Sequence, residues 1–513
     1  MKKKVSIDQG IILTLILMLT MPAFAAHPQL LMDTSQLNFI RAKVTANTSD
    51  WQTLKASCDT LAKEPVRWPA AIGESYSSST RINPSDASHP GWVSGGPTTG
   101  AYISTSYYGS GFNAAIKRLG VCYQALKPSD PNTAATYLAQ AHNIITAIAQ
   151  PLLTMSRQSD GAVRYGLSAD GYLNDLKAGA PLSVYLYPTT AKVADVWTIS
   201  GAQGCTSMNG TWRVSSINGH SLNFTNLDGS AAPMLNADCT LYSVLPNAGS
   251  TYGMRYMVPA LALAYDWFYD GLSDQEKSNL VTTMNEWVSE IKTDGYAQAH
   301  PESNYYAAYL WGIVADYVAT DGDNPTMSSW FTNEIAAKFA APHMLRDYQN
   351  LWLGGGGNGE GWQGYGYEST RFMMNAALAM KLHGTDWTQS PYNWTFVDDT
   401  LRYWMQFTTP SKLELDDNEF VYPTGATEAG ITAPVWIPLS DAALYSSAAR
   451  RFGSAHAFQF QDWYNDVYAK ERAAAGTSIP GWSKGAYTSQ PRRMTTFFTM
   501  IPTQVRALGP RFR

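Results

Sequence analysis

The sequence predicts a mainly α-helical protein, an incomplete α/α toroid of paired helices with one small antiparallel β module inserted. Three observations lead there. Apolar residues recur at three-four spacing in about twelve segments. One stretch, residues 181–246, switches to short β-branched and aromatic runs closed by Gly turns. Across the helices no fixed period of the kind that marks a repeat solenoid is visible.

Taken in order, residues 1–25 read as a secretory signal peptide. "MKKK" is a basic start, "IILTLILML" a short apolar run and "AFA" a small-residue cleavage site, with the cut after Ala25 or Ala26. The expected location is secreted or periplasmic. No later segment reaches the ~18 apolar residues of a membrane span. Residues 26–180 form the first part of the toroid, with helices in "TSQLNFIRAKVTA", "DWQTLKASCDTLAK", "GFNAAIKRLGVCYQAL" and "NTAATYLAQAHNIITAIAQPLLTM". Residues 181–246 carry "VADVWTIS", "TWRVSSI", "SLNFTNL" and "TLYSV", separated by turn signals that include Asn218-Gly219 and Asp228-Gly229. Residues 247–513 are the rest of the toroid. Its helices begin with "YGMRYMVPALALAYDWFYDG" and with "SDQEKSNLVTTMNEWVSEIKTDG", which opens on Ser273 and Glu276 at capping-box spacing. They continue through "NYYAAYLWGIVADYVAT", "MSSWFTNEIAAKFAA", "STRFMMNAALAMKLHG", "WTFVDDTLRYWMQF", "SDAALYSSAARRFG" and "AFQFQDWYNDVYAKERAAAG".

The composition is that of a globular chain, with 513 residues, 45% hydrophobic and only 15% charged. Aromatics reach 12%, with 17 Trp and 30 Tyr. Such a surplus suits carbohydrate, because sugar rings pack their C–H faces on aromatic faces, although aromatics also fill ordinary cores. The formal net charge is −5; removing residues 1–25 removes three Lys and one Asp, and −5 − 2 gives −7. An acidic chain argues against a nucleic-acid partner but leaves room for an anionic polysaccharide in a local basic groove. Four cysteines permit three pairings, of which 58–122 with 205–239 is preferred; four free thiols is the alternative. No CxxC or Cys/His metal spacing occurs, and no cofactor or metal is expected.

Two places carry candidate chemistry. The loop "NLWLGGGGNGEGWQGYGYESTRF", residues 350–372, mounts Glu360, Trp362, Tyr365 and Tyr367 on a Gly-rich stretch directly before a helix. Gly lets such a backbone come close to a bound chain. Asn304 stands at the start of an apolar helix, where the bland reading is a helix N-cap.

The chain resembles the heparinase II/III-like and alginate-lyase group of polysaccharide lyases. The likeness runs through "HPQLLMDTSQLNFIRAKV", "ALAYDWFYDGLSDQEKSNLV", "ESNYYAAYLWGIVADYVA" and "GGGGNGEGWQGYGYEST", and covers most of 27–470 outside the insert. It implies β-elimination on a uronic-acid polysaccharide. In that chemistry a neutraliser holds the C6 carboxylate while a base takes the C5 proton and an acid protonates the leaving O4. The resemblance implies Asn304 as neutraliser and Tyr365 as base and acid, with Tyr367 second. Tyr305, Glu360, Trp362, Arg346 and Arg371 are the expected substrate contacts. The group usually places His after the Asn, where this chain has Tyr305; His300 and His343 are the nearby substitutes. Many members also carry a C-terminal β-sandwich, whereas here the sequence given ends at "VRALGPRFR".

Two other readings stay open. A glycoside hydrolase of toroid type needs two flanking carboxylates, for which Glu360 and the cluster Glu414, Asp416, Asp417 and Glu419 are available. A secreted glycan-binding protein needs only the aromatic groove and the β insert.

Overall fold

The computed structural model describes residues 27–66, 110–149, 153–166, 178–185, 191–237 except 203, 219 and 220, 252–294, 303–336, 354–357, 366–407 and 439–465. Among these residues the chain is mainly helical, with twelve α-helices and one small antiparallel sheet. The helices are α1 (Thr34–Thr45), α2 (Ser49–Leu61), α3 (Ser110–Leu126), α4 (Pro131–Ile148), α5 (Tyr252–Trp267) and α6 (Asp274–Asp294). They continue with α7 (Asn304–Thr320), α8 (Pro325–Trp330), α9 (Tyr367–Leu382), α10 (Phe396–Phe407), α11 (Leu439–Arg451) and α12 (Ala457–Trp463).

Local chemistry accounts for their starts. Asp33 caps α1 in a full capping box with Gln36. Ser273 and Glu276 form the expected box before α6, with the Ser273 amide donating to Glu276 Oε2 at 2.9 Å. Pro131 and Pro325 occupy first helical positions, where a missing N–H costs nothing. One apolar core runs through all the helices, and α5 and α7 lie at its centre. Gly312 of α7 lets them touch: a Cβ there would stand 2.6 Å from Met254 Cε and 3.0 Å from the Met254 carbonyl. Cys58 and Cys122 are bonded, tying α2 to α3 as expected. Cys205 is also disulfide-bonded, and Cys239 lies outside the described residues. At the start of the described chain, His27 Nδ1 sits 2.6 Å from Asp266 Oδ1, and the Leu30 amide donates to Asp266 Oδ2 at 2.8 Å. These contacts pin residues 27–30 to the end of α5.

The sheet has six strands, β1 (Leu153–Arg157), β2 (Val163–Gly166), β3 (Ser183–Tyr185), β4 (Val196–Ser200), β5 (Gly210–Asn218) and β6 (Ser221–Thr225). Their order is β2-β1-β4-β5-β6-β3, and all the pairings are antiparallel. Asn218 pairs with Ser221, so β5 and β6 form a hairpin as expected, but Asn218 is the last strand residue and not part of the turn. Alternation sends Met155, Trp197, Ile199, Val214, Leu222 and Phe224 to one side, where they form a second core separate from the helical one.

The sheet begins earlier than residue 181. The segment expected to finish α4 leaves the helix at Ile148, and Leu153–Arg157 pairs instead with β2 and β4. Pro151 is the physical reason, since it cannot continue an α-helix. A short apolar run such as "PLLTM" then serves equally well as a strand.

Candidate functional site

Arg255 is the only basic residue of α5, and its side chain is 0% exposed. A guanidinium with no solvent must be matched by fixed partners. Its Nη1 donates to Glu368 Oε2 at 2.9 Å, from the first turn of α9. Its Nη2 donates to Asn304 Oδ1, at the first residue of α7. The Tyr305 ring lies against the guanidinium, 5.3 Å from its centroid. Glu368 is matched in turn, because the Tyr256 hydroxyl donates to Oε1 at 2.7 Å.

Asn304 is therefore not the helix cap. Ser303 is, its side chain accepting from the Tyr305 amide at 3.2 Å. Asn304 is buried, at 3% exposure. Because Arg255 can only donate, it fixes the Asn304 oxygen toward itself and makes Nδ2 the donor end of that amide.

The network extends on both sides. Arg371, on α9 one turn after Glu368, grips Asp441 of α11 with two hydrogen bonds, of 2.6 and 2.8 Å. Asn113 of α3 donates from Nδ2 to the Tyr256 carbonyl at 3.1 Å. One turn further along α3, half-buried Lys117 lies close enough to Arg371 to feel its charge. Burial first, and then that repulsion, hold the Lys117 ammonium down to about 8. Burial and then the Glu368 charge push the Tyr256 phenol well above its usual range, so Tyr256 keeps its proton. Among the described residues, Lys117, Arg255 and Arg371 stand against Glu368 and Asp441, three cations to two carboxylates.

Of the residues singled out from sequence, Asn304 and Tyr305 meet on Arg255, and Arg371 joins the same network through α9. Tyr367 is the first residue of α9, immediately before Glu368. His300, His343, Arg346, Glu360, Trp362 and Tyr365 lie outside the described residues, as do Glu414, Asp416, Asp417 and Glu419. Residues 354–357 of the Gly-rich loop are described, and there Gly serves packing. Gly356 has φ +81°, and a Cβ on it would stand 2.2 Å from the Asp399 carbonyl oxygen of α10.

Sequence reasoning missed Arg255, Tyr256, Glu368, Asp441, Asn113 and Lys117. The signal for Arg255 was present, a single Arg inside an otherwise apolar helix. Its partners were not legible, since Glu368 is 113 residues away. Among the described residues no group of three or more His, Cys, Asp or Glu could hold a metal ion. No protein-family model matches the chain, and no curated protein matches it either.

Proposed function

We propose that this chain is a secreted polysaccharide lyase, built on an incomplete α/α toroid, that cleaves a uronic-acid polymer by β-elimination. The observation that carries the reading is the Asn304 amide, locked by a buried Arg255 inside a network that, among the described residues, has three cations to two carboxylates. A preorganised amide donor beside excess positive charge suits a carboxylate on which negative charge must grow. In the reaction a base takes the C5 proton, the C5–H electrons form the C4=C5 bond, and the C4–O4 bond breaks. The O4 leaving group then picks up a proton from an acid. Asn304 donates to the C6 carboxylate and stabilises the enolate-like transition state. Tyr365 is the base and acid, with Tyr367 as its substitute; the loop that bears both runs straight into Glu368 of the network. The Cys58–Cys122 bond fits an oxidising compartment and so fits export.

The hydrolase reading gains nothing from this network. Its two carboxylates, Glu368 and Asp441, are buried and each engaged by an arginine instead of flanking an open sugar site. The test is a screen of the purified protein against alginate, polyglucuronate, hyaluronan, chondroitin and heparosan. Ultraviolet-absorbing unsaturated ends are expected from at least one polymer. New reducing ends without ultraviolet absorbance would make it a hydrolase, and binding without cleavage would make it a glycan-binding protein.

A further inference from the structure

The two arginines of the network each have a carboxylate partner. Arg255 has Glu368 and Asn304, and Arg371 has both oxygens of Asp441. Lys117 differs. Among the described residues no carboxylate lies within ion-pair reach of its ammonium, and its nearest charged influence is another cation, Arg371. A chain selected only for stability gains nothing from a half-buried cation set beside a second one.

A second group on the same helix face has a parallel need. Asn113, four residues before Lys117, is 1% exposed. Its Nδ2 is committed to the Tyr256 carbonyl, which sets Oδ1 as an acceptor, and that Oδ1 has no hydrogen-bond partner among the described residues. Positions i and i+4 lie one above the other on a helix. A cation lacking an anion and a buried acceptor lacking a donor are thus stacked on α3.

We infer that Asn113 and Lys117 seat one uronate ring of the bound chain, with Lys117 receiving its carboxylate and Asn113 accepting from one of its hydroxyls. The inference deepens the lyase reading and rests on it for the identity of the sugar. Few common ligand classes bring a carboxylate and a hydroxyl donor on one rigid ring. A sulfated or phosphorylated ligand would supply the anion, but the buried acceptor is matched by a ring hydroxyl. Lys117 also explains why the network keeps one more cation than carboxylates: the last carboxylate arrives with the substrate.

The experiment compares wild type with Lys117→Met and Lys117→Arg. Melting temperatures come first. Lys117→Met removes a repelled, desolvated charge, so it is expected to melt at or above the wild-type temperature. A Lys117 that merely holds the fold together would lower it. Next, calorimetry measures binding of uronate oligosaccharides and of the same oligosaccharides with their carboxyls reduced to alcohols. Wild type is expected to prefer the acid form, Lys117→Met to bind it at least about tenfold more weakly with that preference lost, and Lys117→Arg to keep most of it. On a polymer that wild type cleaves, kcat/KM of Lys117→Met is expected to fall about 10²-fold. Undiminished preference for the acid form in Lys117→Met overturns the inference, as does failure of wild type to bind any uronate oligosaccharide. If wild type binds but never cleaves, the lyase reading falls, and the calorimetric comparison alone still decides the role of Lys117.

Discussion

In the helical body Arg255, Asp266, Asp316, Glu368 and Asp441 are all 1% exposed or less. In the β module, residues 153–237, every buried side chain among the described residues is apolar, aromatic or sulfur-bearing. Both regions solve the same packing problem, yet only the helices accept the desolvation of charge. Buried ions stabilise little compared with apolar residues of the same volume. Of these, Glu368 pairs directly with Arg255, whereas Asp266 binds the segment 27–30 and Asp316 binds Thr320. The module, with its own core and with β2 lying against α6, behaves as a self-contained unit carried by the helices.

The most damaging break should come from Arg255→Met. It strands Glu368 as an uncompensated buried charge, at a cost of about 3–5 kcal/mol. Urea denaturation should show that loss, and the lyase activity proposed above should vanish. Adding Glu368→Gln removes the stranded charge and is expected to recover part of the stability with none of the activity. A single variant as stable as wild type would mean the pair is not buried in solution.

Asn304→Ala should be milder in stability and still severe in rate. It leaves one donor of Arg255 unmatched, worth about 1–3 kcal/mol. Loss of the fixed amide donor should lower turnover about 10²–10³-fold, as read by unsaturated-product formation. Normal turnover with only a lower melting temperature would make Asn304 an internal brace for Arg255.

A pH test sharpens the comparison. Burial raises the Asp316 carboxyl from its usual 3.8 to about 7, against hydrogen bonds from Thr320 and Asn324 that pull it down. Between these values the folded chain holds a proton that the unfolded chain releases. Stability contributed at this site therefore falls as pH rises from about 4 to about 7 and stays low above that. Denaturation midpoints in wild type should drop across this window, and Asp316→Asn should flatten the slope. An identical slope in both proteins would place the titration elsewhere.

Excision of the module should disturb the helices least. Replacing residues 153–237 with a short Gly/Ser linker should leave the helical circular dichroism signal in place. Replacing 181–246 instead strips β4 from β1 and uncovers Met155, so that variant should aggregate. If the 153–237 deletion also unfolded, the two cores would be one cooperative unit.

The twelve helices could be read directly from the chain, because an apolar stripe is written in residues three and four apart, and α5 and α7, buried almost all round, read as near-continuous apolar runs. The β5–β6 hairpin was legible for the same reason, since its turn and alternation are local. The start of the sheet was not, because Leu153–Arg157 follows a short apolar run and only pairing with β2 and β4 makes it a strand. The site divides in the same way. The family resemblance pointed to Asn304, Tyr305 and Arg371, but not to what holds them. Arg255 meets Glu368 across 113 residues, and Arg371 meets Asp441 across 70. Such partners leave no periodic trace in the sequence. Hydrophobic burial of the helices brings them together, and the low-dielectric interior then requires that each charge find its match.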